Sequence, residues 1–172
     1  DDADKLKRFE QCAKLAEGAI AALPEDANSH YRHAFALGRY SQGLSIVKAL
    51  KAGIAGKVRQ SLDTALEIAP KHAEAHTAMA LYHAEILGKV GAMLGGLTYG
   101  AKASEAESHI KTALKLLLRP LGLTYKVEDE VLLITSPQAS TAQVFPRTYY
   151  VGALTMPTGK GADPTQPPSM KG

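Results

Sequence analysis

The chain has 172 residues, 45% of them hydrophobic and only 6% aromatic, with no Trp and a net charge of +3. This is one ordinary domain with room for a small appendage, too apolar to be disordered throughout and better suited to close-packed helices than to an all-β sandwich. Charge is spread along the chain, Cys12 is the lone cysteine and no apolar run approaches the roughly 20 residues that span a bilayer, so nucleic-acid binding, an intramolecular disulfide and a transmembrane helix lose their support.

The first residues, Asp1-Asp2-Ala3-Asp4, carry no initiator Met, as in a processed exported protein, and the expected location is periplasmic or extracellular. Their carboxylates suit the positive end of a helix predicted over residues 3–22. Leu6, Phe9, Ala13, Ala16 and Ile20 share one face of it. Pro24 stops this helix. The spacing then predicts helices over about 27–50, 57–68 and 73–94, with Pro70 as a second stop. Ser104-Glu105-Ala106-Glu107 reads as a capping box opening a fifth helix that runs to about Arg119.

Two of these junctions repeat each other. Ala19 to Ala65, Pro24 to Pro70 and His30 to His76 are each 46 positions apart. A fixed period of this kind marks stacked helical units. Glycines recur between the units, at Gly53 and Gly56 and again at Gly91, Gly95, Gly96 and Gly100. They do not spell GxGxxG and no strand precedes them, so they read as loops between antiparallel helices.

After Pro120 the pattern changes. Leu123–Val127 alternates and Val131–Thr135 is β-branched and apolar, with Glu128-Asp129-Glu130 between them as a tight hairpin turn. Residues 143–151 suit a third strand bent at Pro146, confined to an edge. Pro157, Gly159, Gly161, Pro164, Pro167 and Pro168 give the end of the chain a tail composition. The expected architecture is mainly α: antiparallel helix pairs, about five helices, over 1–119, a β-hairpin and strand segment over 120–151, and an extended Pro-rich tail over 152–172.

Val58, Leu62, Ala65 and Pro70, and 46 residues earlier Cys12, Ala16, Ala19 and Pro24, follow the pattern that closes a tetratricopeptide repeat. Ala106, Ile110 and Ala113 match a third time, with Leu118 where Pro is expected. Residues 5–118 thus resemble tetratricopeptide-repeat proteins of bacterial type, although the period exceeds the family's usual 34 by about three helical turns. The resemblance implies peptide binding on the concave face of each first helix, which by position includes Asn28, Tyr31, Phe35 and Arg39, then Glu74, Thr77, Leu81 and Glu85. It also implies that Cys12 is a small buried position and that His30 and His76 pack between helices. Residues 116–135 resemble the helix-then-hairpin end of the small periplasmic domain of secretins and TonB-dependent receptors, which points to the bacterial envelope.

Six histidines raise the question of metal. His30 and His33 are three apart and His76 and His83 seven apart, but no carboxylate stands at HExxH spacing, so packing is the preferred reading. No nucleophile-and-base motif is present and no cofactor is implied. The expected function is a non-enzymatic scaffold whose partner is protein, foremost copies of itself. Val144, Phe145, Tyr149, Tyr150, Leu154 and Met156 would make the assembly contacts, in open filaments where the contacts do not close. Thr155, Thr158, Thr165 and Ser169, in the Pro-rich tail, are candidate O-glycan acceptors. The alternative is a monomeric peptide-binding adaptor of an envelope complex.

Overall fold

The computed structural model describes residues 1–141. The proposed third strand, the tail, the assembly residues Val144, Phe145, Tyr149, Tyr150, Leu154 and Met156, and the acceptors Thr155, Thr158, Thr165 and Ser169 lie outside them. The described chain is mainly helical, with a small antiparallel sheet after the helices. Asp1–Ser140 form one compact unit.

Helix α1 spans Asp2–Ala22, capped by the Asp1 carboxylate on the Ala3 amide. Helix α2 spans Ala27–Gln42 and is capped by Asp26, whose carboxylate accepts from the amides of Asn28 and Ser29. The second expected helix does not reach Leu50. It stops at Gly43, where an added Cβ would lie 2.8 Å from the Leu6 side chain of α1, so that a larger residue would have to displace that side chain. A short α3, Ile46–Lys51, follows, and α4 runs from Ile54 to Ile68. Helix α5 spans Ala73–Tyr99 and α6 spans Ala103–Leu118. Helix α5 therefore outruns the expected end at Leu94, but it is broken at Gly91, whose φ of 81° and ψ of 164° only glycine adopts readily.

The expected capping box is not used. Lys102 is the N-cap of α6, without a side-chain cap, and Ser104 already lies inside the helix. Cys12 is exposed rather than buried. Ala13 and Ala16 are the residues that α1 turns inward, and Cys12 stands about 100° around the helix from Ala13.

Helix α2 packs against both α1 and α4, and α5 against α6 and α4. Leu62, Ala65, Ala75 and Ala113 have no exposed surface, and Met79 and His83 are 1% exposed. So many alanines at the crossings let the backbones come close, which is how a chain short of aromatics fills its core.

The 46-residue echo has a polar basis. His30 Nε2 donates to the Pro24 carbonyl at 2.7 Å, and His76 Nε2 donates to the Pro70 carbonyl at 3.0 Å. Each imidazole reaches back across the turn and satisfies a carbonyl that the preceding helix cannot use. The histidines hold the joints and are not apolar spacers. His30→Ala, at a buried site, is expected to destabilise by about 2 kcal/mol in urea melts, and His76→Ala, more exposed, by less. Negligible losses at both positions would show that the joint does not need the imidazole.

A 3₁₀ turn at Arg119–Leu121 ends α6, and β1 (Thr124–Glu128) pairs antiparallel with β2 (Val131–Thr135), Glu128 facing Val131. The connecting Asp129 and Glu130 have φ of 48° and 65°. Left-handed backbone at both central positions is the turn whose twist matches a two-residue hairpin. The last described element, α7, is Pro137–Thr141.

Candidate functional site

Helices α2 and α5, the first members of the two echoing units, lie side by side with α4 beneath them. Between them opens a groove of about 380 Å³. Its floor is apolar, from Ala34, Ile54, Val58 and Leu62, and its rims carry Arg39 and Gln42 on one side and Glu85 and Lys89 on the other. Leu44, Ile46 and Ala49 close one flank.

The rims are joined by a polar chain. Arg39 donates to Gln42 Oε1 at 3.1 Å, Gln42 Nε2 donates to Glu85 Oε1 at 2.6 Å, and Lys89 donates to Glu85 Oε2 at 3.1 Å. The Glu85 charge is thus already met by Lys89. Among the described residues, Arg39 has the Gln42 amide and the face of Phe35, 5.3 Å from its ring centre, but no carboxylate. Phe35 on α2 and Leu81 on α5 both line the groove as large apolar side chains, 45% and 54% exposed.

Of the eight expected concave-face residues, Phe35, Arg39, Leu81 and Glu85 line this groove. Tyr31 sits at its end, with its ring 6.1 Å from Phe35 and 5.1 Å from His72. Burial raises the Tyr31 phenol pKa, and the Glu74 charge adds to the effect. Asn28 and Glu74 do not line the groove. Asn28 is held by His72, the N-cap of α5, whose Nε2 donates to Asn28 Oδ1 at 3.2 Å while its Nδ1 accepts from the Ala75 amide; Glu74 Oε2 lies 3.2 Å from that Nδ1. Thr77 bonds back to the Ala73 carbonyl within its own helix. The groove also recruits Gln42, Leu44, Ile46 and Lys89, which the repeat pattern did not single out. Leu44 and Ile46 line the opening because α2 stops at Gly43 before them.

A second cluster lies between α5 and α6. His76 Nδ1 is 2.8 Å from His109 Nδ1, and the His109 ring stacks 6.1 Å from that of His83. Because His76 Nε2 donates to Pro70, neutral His76 has an accepting Nδ1, and His109 Nδ1 must donate to it. His83 Nδ1 accepts from the Lys102 amide at 3.3 Å. Burial lowers the pKa of His83, with Arg59 and His109 adding to it, and burial and then His76 lower that of His109. On α2, His33 Nδ1 is 2.7 Å from Ser61 Oγ, and its Nε2 lies 3.4 Å from Glu17 Oε1 without the alignment of a hydrogen bond. Among the described residues no group of three His, Cys, Asp or Glu side chains could hold a metal ion, and no helix is long and apolar enough to cross a membrane.

No family model, curated protein or solved structure matches this chain.

Proposed function

We propose that this protein is a non-enzymatic helical scaffold of tetratricopeptide-like design that holds a segment of a partner protein in the groove between α2 and α5. The observation that carries this reading is the pairing of uncovered apolar side chains, Phe35 and Leu81, with a rim guanidinium, Arg39, that has no carboxylate of its own among the described residues. A segment presenting one or two apolar side chains and an adjacent carboxylate complements all three. Arg39 is already positioned by Gln42 and Phe35, so less side-chain freedom is lost on binding.

Selection of random peptides on the immobilised full chain tests this. The expected peptides pair an apolar residue with Asp or Glu. Arg39→Glu, an exposed change, should weaken their capture about tenfold or more while leaving the melting curve in place. Selection of the same peptides by wild type and Arg39→Glu alike would remove the groove from the function.

A second reading, self-assembly, is favoured by a different observation. Val127, Val131, Leu132, Leu133 and Ile134 of the hairpin are all exposed. Two strands alone are marginally stable in water, and so apolar a pair is suited to being covered by protein.

A further inference from the structure

In the hairpin, β1 packs against α6, and among the described residues no strand pairs with the outer edge of β2. Strand β2, Val131–Thr135, holds no charge, Pro or Gly, the usual devices that stop an edge from pairing. Its outward backbone groups follow from the register. The two-residue turn makes Glu128 and Val131 a hydrogen-bonded pair, and pairs alternate from there. Leu132 and Ile134 therefore direct their N–H and C=O groups away from β1.

We propose that β2 pairs antiparallel with β2 of a second copy of this chain, about a two-fold axis at Leu133. This deepens the self-assembly reading and rests on it. The outward groups of Leu132 then meet those of Ile134 in the partner copy, and the reverse, which gives a closed set of ladder bonds. Leu133 faces its own counterpart and Val131 faces Thr135, so every cross-strand pair joins uncharged side chains and no like charges meet. The strand is thus complementary to itself, and this is the argument for a second copy over a foreign strand. Two hairpins of two strands become one sheet of four, past the size at which a sheet is stable. The outer strands would be β1, where Lys126 and Glu128 form an ion pair at 2.9 Å. A charged, helix-backed outer edge does not invite further strands. The assembly through β2 is a closed dimer, not a fibre.

Ile134→Pro removes the outward donor without touching the ladder to β1, since the Ile134 amide faces away from it. The full chain is expected to have dimer mass in light scattering, and the variant half that mass with an unchanged helical circular-dichroism spectrum. Independently, in a Cys12→Ser background, Leu133→Cys should oxidise to a disulfide-linked dimer, because a directly opposed, non-hydrogen-bonded pair brings the two Cα atoms to about 4.5 Å. Leu121→Cys, at a residue 70% exposed, is the control and should link far more slowly. Equal linking rates, or an oligomer that survives Ile134→Pro, would overturn the edge pairing and leave self-assembly standing. A full chain that is monomeric at every concentration would remove both.

Discussion

Leu62→Ala is expected to lower stability by about 3 kcal/mol and the melting temperature by roughly 10 °C, because the lost side chain leaves a cavity its neighbours cannot fill. Leu62 has no exposed surface and lies where α4 supports both α2 and the groove floor. The surrounding side chains sit on helices fixed by their own crossings, so collapse is limited. Thermal melts by circular dichroism read the loss. Leu81→Ala, also on the groove but 54% exposed, is expected to shift stability by less than about 0.5 kcal/mol while weakening peptide capture. If both variants lose only capture, or both lose only stability, the division between floor and rim is wrong.

Acid should weaken the fold through the α5–α6 histidines. His83 and His109 both have pKa values lowered from 6.5 in the folded state, by burial first. The unfolded chain therefore binds more protons below that value, and stability rises with pH in this window. Their contribution is complete above the unfolded pKa of 6.5, falls as pH drops through it, and levels off below the folded values. The slope is at most about 1.4 kcal/mol per pH unit for each proton taken up. The groups around the cluster act in both directions: Arg59 of α4 lowers both pKa values, while Glu105 of α6 and Asp63 of α4 raise them. Urea melts from about pH 8 to about pH 5 should show the decline, and His109→Phe should flatten it. A wild-type stability that is flat across that range would remove the histidines as acid-sensitive groups.

The joints of this fold were legible in the sequence because their chemistry is local. Pro24 and Pro70 end helices wherever they stand, and the histidine six residues on is within reach of the proline carbonyl in each case. The hairpin was legible for the same reason, as two β-favouring runs around the acidic Glu128-Asp129-Glu130, of which the structure gives Glu128 to β1 and leaves a two-residue turn. Cys12 was misplaced by a single helix position, because a repeat pattern fixes spacing more firmly than rotation. The break at Gly91 and the stop at Gly43 depend on what approaches those glycines or what backbone they adopt, and residue type alone does not carry that. His109 had no sequence signal at all. Its role comes from His76, 33 residues away on another helix.

Gly91 sets a limit on what the groove can read. Helical backbone continues from Ala73 only as far as Val90 before the glycine turns it aside, and the tilted Tyr31–His72 ring pair lies toward the other end of the two helices. The facing helix α2 is 16 residues long, about 24 Å at 1.5 Å per residue. An extended segment lying along it has room for about seven residues, or a helical one for about four turns. Under the proposed function, the length of α2, faced by α5 up to its break, is therefore a ruler: partners would be distinguished by the length of the segment they present as well as by its chemistry.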